Sequence, residues 1–147
     1  MCLARAVVIH RLADATAALA PGLPATLLSA PGAGLYAGCL YWRALVEEAL
    51  QQARAAGQSP TASDILDCGD GSGQALAALR CGLRGLVLLR SAPGWSSIAA
   101  IVDAQGGFVL DRRPEALDLA APGAHRRLRA WLEAPLAAPD DSAPRLG

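Results

Sequence analysis

The sequence predicts an α/β fold, a three-layer sandwich on a mostly parallel, five-stranded sheet with helices on both faces. Three observations predict it. Short β-branched or leucine-rich runs alternate with longer stretches whose apolar residues recur at three and four. Glycine and proline punctuate the junctions between them. One run, Leu86–Leu89 (LVLL), is apolar throughout, as expected of a strand covered on both faces.

Ala6–Ile9 (AVVI) reads as the first strand. In Arg11–Leu19, Leu12, Thr16 and Leu19 form a helical stripe that Pro21, Gly22 and Pro24 end. Ala25–Ser29 (ATLLS) is the second strand, stopped at Pro31-Gly32. A long helix follows from Gly38 to Ala56. Trp42, Leu45, Val46, Ala49, Leu50 and Ala53 share one face, and Glu47, Glu48, Gln51, Gln52 and Arg54 the other. Asp64–Cys68 is the third strand, followed by a glycine turn and a short helix over Gln74–Arg80. Leu86–Leu89 is the fourth. Trp95–Gln105 is read as a helix and Phe108–Leu110 as the fifth strand. The alternative is a hairpin pairing Ile98–Val102 with Phe108–Leu110. The helix is preferred because the alanine-rich text suits it and it continues the alternation. Pro114–Leu119 is expected to be irregular, and Ala124–Leu132 a final amphipathic helix with Leu128, Trp131 and Leu132 inward. Residues 1–133 then form one domain. Residues 134–147, with Pro135, Pro139 and Pro144, read as a mobile proline-rich tail. Five strands in this length fit a flavodoxin-like or Rossmann-like arrangement. The stretch 64–89 also resembles one βα unit of a (β/α)-barrel aldolase; the likeness implies nothing about activity, because the chain has no lysine.

Composition removes several function classes. Basic and acidic residues number 13 each, so the net charge is zero, and 53% of residues are hydrophobic. A disordered chain needs the opposite balance, and a nucleic-acid-binding domain needs a basic excess. Lysine and asparagine are absent, as a GC-rich coding sequence would favour. That excludes Schiff-base catalysis, the lysine of a phosphate loop and N-glycosylation. His10 and His125 are the only histidines, too few for a three-histidine zinc site. The cysteines, Cys2, Cys39, Cys68 and Cys81, show no two-residue spacing. No metal and no cofactor are expected, and the cysteines are expected to be buried thiols. Arg5, His10, Arg11 and Asp14 interrupt the N-terminal apolar stretch, which argues against a signal peptide. No run reaches membrane-helix length. The expectation is a protein of a bacterium-like cytoplasm with neither membrane nor nucleic acid as partner.

In an open parallel sheet, ligands bind beyond the carboxyl ends of the strands. That places the candidate residues on His10-Arg11, Ser29 to Gly34, Asp67 to Gly73, Arg90-Ser91 and Asp111-Arg112. The loop Pro31–Gly38 (PGAGLYAG) joins a strand to the long helix, so its amides could hold an anion, with Arg11, Ser29, Gly32, Gly34, Tyr36, Gly71, Ser72 and Arg90 as binding residues. Cys68 precedes a glycine turn and a helix, a setting that activates thiols. A phosphatase-type loop would carry arginine six residues on, where Gln74 stands, so Cys68 is expected to be unreactive. His10, Cys68 and Asp70 are the catalytic candidates if the protein is an enzyme, histidine being the side chain that titrates near neutrality. Trp42, Trp95 and Trp131 are expected inward, and Tyr36 and Tyr41 to wall a ligand or face a partner. No catalytic set is complete. The favoured expectation is a non-catalytic module that binds a small anionic ligand or a protein, self-association included. The alternative is a small enzyme acting on a phosphorylated or carboxylated metabolite through Cys68 or His10.

Overall fold

The computed structural model describes residues 2–136; the greater part of the expected tail, residues 137–147, lies outside the described residues. The elements are β1 (Ala6–Ile9), α1 (Leu12–Leu19), β2 (Ala25–Ser29), α2 (Ala33–Tyr36), α3 (Cys39–Ala55), β3 (Ala62–Asp67), α4 (Ser72–Arg80), β4 (Gly85–Val87), α5 (Trp95–Ala104), β5 (Phe108–Leu110), β6 (Ala116–Asp118) and α6 (Ala124–Glu133). All six strands are parallel and lie in the order β5-β4-β3-β2-β1-β6. The α/β class is as the sequence predicts, and α5 is a helix, not half of a hairpin.

Two of the connecting segments differ from expectation. The stretch Pro114–Leu119, read as irregular, contains the sixth strand. Leu117 pairs beside Val7 and Asp118 beside Val8, so β6 completes the edge next to β1. Three residues with one buried side chain are too short a pattern to separate a strand from a loop. The loop Pro31–Gly38 does not lead straight into the long helix either. It holds the four-residue α2, which Gly32 enters with φ +66° and Gly38 leaves with φ +84°. Both values are cheap only for glycine.

Strand alternation sorts the core into two clusters. Val7, Ile9, Leu27, Leu66, Cys68, Leu86, Leu88 and Leu117 face one side and pack against the helices. Among the described residues, every buried apolar helix side chain joins this cluster. Ala6, Val8, Leu28, Ile65 and Val87 face the other side, against Leu3, Phe108, Leu110 and Ala116. The layers are therefore helices, sheet, and a thin cover of chain, a refinement of the expected helices on both faces. The physical reason is the strand order. From β1 to β5 the chain always steps the same way, and right-handed crossovers then carry each helix to one side.

The thin cover is the link from β5 to β6. Its six Cα steps, Leu110 to Ala116, reach at most ~21 Å. In a flat sheet, strands five spacings apart would be separated by roughly 24 Å. The sheet must curl, with the link strapped across its concave face. Three ion pairs mark its path: Asp111 Oδ2 with Arg90 Nε at 3.1 Å, Arg113 Nη1 with Asp67 Oδ2 at 2.7 Å, and Glu115 Oε2 with Arg5 Nη1 at 3.8 Å. At the start of the expected tail, the Arg5 guanidinium donates to the carbonyls of Ala134 and Pro135 and lies 4.5 Å above the Trp131 ring.

Candidate functional site

Because the sheet is parallel, the carboxyl ends of β1 to β5 share one rim. Its centre is a closed polar network. The Asp67 amide donates to Ser29 Oγ at 2.9 Å, and Ser29 Oγ donates to Ala30 O at 3.1 Å. Asp67 Oδ1 accepts from the Gly69 amide at 2.8 Å, and Oδ2 accepts from Arg113 Nη1. Arg113 Nη2 completes the circuit by donating to Ser29 O at 3.0 Å. Ser29 and Asp67 are buried, so these bonds replace water that neither can reach. Ser29, expected to meet a ligand, spends its hydroxyl inside the chain.

His10 stands at the end of β1. Its amide donates to Asp14 Oδ2 at 3.0 Å, an acidic residue of the first helical turn reaching back over the N-terminus of α1. Arg11, also on the candidate roster, is exposed, with its Nε 3.7 Å from Asp14 Oδ1. The His10 ring places Nε2 2.7 Å from Asp118 Oδ1. Burial pulls the Asp118 carboxyl upward. The Ala120 amide and the hydrogen bond from His10, with the charges of His10 and Arg113, outweigh it and hold Asp118 below the usual carboxylate range. An ionised Asp118 accepts, so Nε2 carries the proton and Nδ1 is left for another partner.

The two glycine loops do meet, but Leu35 fills the space between them. A side chain begun at Gly71 would come within 2.5 Å of Leu35 Cδ2, one at Gly69 within 3.0 Å of Cδ1, and one at Gly32 within 3.7 Å of Cδ1. Gly34 presses on the end of β3, where an added Cβ would lie 3.0 Å from both Asp67 O and Cys68 Sγ. Cys68 is fully buried. Burial first, then the neighbouring Asp67 and Cys39, push its thiol up to about 12. Ser72 donates to Pro93 O at 2.5 Å, and Asp70 is exposed on the turn. Arg90 pairs with Asp111 and stacks 4.1 Å over the Trp95 ring. The rim thus gathers the candidates without joining them in one pocket.

Three of them do share a hollow. His10, Ser29 and Tyr36 line a cavity of about 90 Å³ together with Ile9, Tyr41 and Trp42. Beside it the surface is apolar: Leu35 is 46% exposed, Tyr36 70%, Leu40 65% and Tyr41 53%. Trp42 is buried as expected, and its indole donates to Asp64 Oδ2 at 3.0 Å. Trp95 and Trp131 are half-buried and donate to Leu88 O and Ala6 O. A larger groove of about 490 Å³ lies at the opposite end of the sheet, lined by Arg43, Asp64, Cys81, Arg84 and Phe108 among others. Among the described residues no cluster of histidine, cysteine or carboxylate side chains could hold a metal, and no helix is long and apolar enough to cross a membrane.

Sequence reasoning missed Asp14, Arg113 and Asp118. Asp14 had a signal, an acid in the first turn of a helix. Arg113 and Asp118 had none, since both act on partners 46 to 108 residues away in sequence. Comparison with protein-family models, curated proteins and solved structures finds no match to the chain.

Proposed function

We propose that this protein is a non-catalytic interaction module that docks through the corner formed by α2 and the first turn of α3, and that the partner this corner fits is a second copy of the chain. The observation that carries the reading is the cluster of Leu35, Tyr36, Leu40 and Tyr41, four large apolar or aromatic side chains left exposed side by side in sequence and next to a hollow. Aromatic anchors beside a pocket are the usual energetic centre of an interface. Knob and hollow on one patch suit a two-fold contact, in which the same surface serves both partners. From Ala30 to Trp42 the chain carries no charge, so two copies would meet without like-charge repulsion. The plugged glycine crevice and the internally satisfied Ser29 and Arg90 lend no support to an anion site there.

Sedimentation equilibrium of the full chain tests this. The expected result is a dimer at micromolar concentration that Tyr41→Glu converts to a folded monomer. A wild-type monomer throughout that range overturns self-association. A rise in melting temperature with millimolar phosphate or sulfate, lost in Arg11→Ala, would point instead to the anion site.

A second reading has one observation in its favour. The His10–Asp118 pair, whose histidine lines the hollow and keeps Nδ1 outside the bond to Asp118, has the arrangement of an oriented general base. It would serve a small enzyme acting on a carboxylated or phosphorylated metabolite. Turnover abolished by His10→Gln would support it. Cys68, buried with a thiol near 12, lends that reading nothing.

A further inference from the structure

We propose that Cys39 and Cys81 are a redox pair that closes to an intramolecular disulfide. Cys39 is the first residue of α3, and Cys81 follows the last residue of α4. They are 42 residues apart in sequence, yet their sulfurs stand 2.6 Å apart, within about 0.6 Å of a disulfide bond. Both are half-buried free thiols, which leaves them reachable by a small reagent. Cys68 differs in being fully buried, and Cys2 is exposed at the N-terminus.

The surroundings hold the pair in register. Arg43, one turn along α3 from Cys39, donates from Nη1 to Cys81 O at 2.7 Å, so the same helix that carries one sulfur grips the backbone of the other. Gly82 follows with φ +93°, turning the chain away from α4 immediately after Cys81. Cys81 also lines the 490 Å³ groove, which gives a path for a reagent.

The oxidant is a low-molecular-weight disulfide. Either thiol can donate to the other, and the exchange begins when Cys39 is the thiolate. It attacks one sulfur of the reagent, whose S–S bond breaks, and one reagent thiolate leaves. Cys81 then gives up its proton and attacks Cys39 of the mixed disulfide, and the second reagent thiolate leaves. Two protein thiols are oxidised to one disulfide, and one reagent disulfide is reduced to two thiols.

The chain has no lysine, so trypsin cleaves after arginine alone and isolates the cysteines. Cys39 falls in Leu12–Arg43, Cys81 in Cys81–Arg84, and Cys68 in Ala55–Arg80. Full-length protein is incubated with oxidised glutathione, alkylated, digested without reductant and weighed. The expected product is Leu12–Arg43 joined to Cys81–Arg84, released by dithiothreitol. Oxidation should also raise the melting temperature by about 10 °C, from closing a loop of this length. That rise should vanish in Cys39→Ser. Both peptides remaining fully alkylated in folded protein, or joined to Cys2 or Cys68 instead, overturns the pair. Cys39 lies in the first turn of α3, which the docking surface also uses, so sedimentation of the reduced and the oxidised chain reads the two proposals separately.

Discussion

Arg113 reaches from the β5–β6 strap to Asp67 at the end of β3, with 2.7 Å between Nη1 and Oδ2. The carboxylate side chain is 5% exposed, so the guanidinium is what makes its charge tolerable. Because the same guanidinium also bonds Ser29 O, one side chain ties the strap to two central strands.

Arg113→Ala should therefore cost about 3 kcal/mol, from leaving a buried carboxylate partly unpaired. In a chain this size the melting temperature should fall by roughly 6 to 12 °C. Urea denaturation checks it. The double variant with Asp67→Asn should lose less than Arg113→Ala alone, because the orphaned charge is gone while Gly69 keeps an acceptor. Equal or larger loss in the double variant would mean that packing of the strap, not charge, carries the effect.

The inertness of Cys68 makes a second prediction. A thiol at about 12 is almost wholly protonated at neutral pH, and this one is fully buried. With iodoacetamide, Cys2 should label first, Cys39 and Cys81 more slowly, and Cys68 only on unfolding. The labelling rate of Cys68 should then follow global opening and rise with urea. Labelling of Cys68 at the rate of Cys2 in native protein would contradict both its burial and its excluded role.

The strands of the sheet's middle were legible because AVVI and ATLLS carry unbroken buried text, and every one of their residues is buried in the fold. LVLL overran its strand: β4 is Gly85–Val87, and Leu89 leaves the sheet, its amide turned to Gly69 O. The long helix was legible from Trp42 to Ala53 because its buried face repeats for three turns. The strap was not, because what fixes Asp111–Glu115 is charge pairing with residues far along the chain, and pairing of that kind leaves no period. The candidate rim was legible as a place. Its wiring was not: nothing local says that Leu35 folds over three glycines, or that Cys39 ends beside Cys81.

Asp64 predicts a pH dependence. Burial is the larger influence and raises its carboxyl above the usual range, while the Trp42 indole opposes the rise. A raised folded value means that stability is fully present below the unfolded pKa, about 4, and is lost as pH rises through the folded value. Asp64→Asn keeps an oxygen for the indole and removes the charge. It should match wild type at pH 3, where both forms are neutral, and melt higher at pH 7. A variant equally destabilised at both pH values would show that the Trp42 bond, not the charge, dominates this position.

Gly34 gives the sharpest steric prediction. Its φ lies outside the left-handed region, so alanine would suffer no backbone strain there. The obstacle is space: the new methyl would stand 3.0 Å from Asp67 O, 3.0 Å from Cys68 Sγ and 3.1 Å from Cys68 Cα. Two of these three are backbone atoms, of the last residue of β3 and of the residue after it, whose amide bonds Val87 O, and they cannot swing aside as a flexible side chain would. Gly34→Ala should thus cost about 1 to 3 kcal/mol, the usual penalty for overpacking. It should push α2 off the sheet and speed Cys68 alkylation in the native protein. Gly73→Ala is the matched control, with ordinary φ, a helical position and nothing within 4 Å of the added carbon, and it should stabilise by up to about 1 kcal/mol. Should Gly34→Ala prove neutral while Cys68 stays protected, α2 does not rest on β3 as closely as described, and the docking corner is softer than its geometry implies.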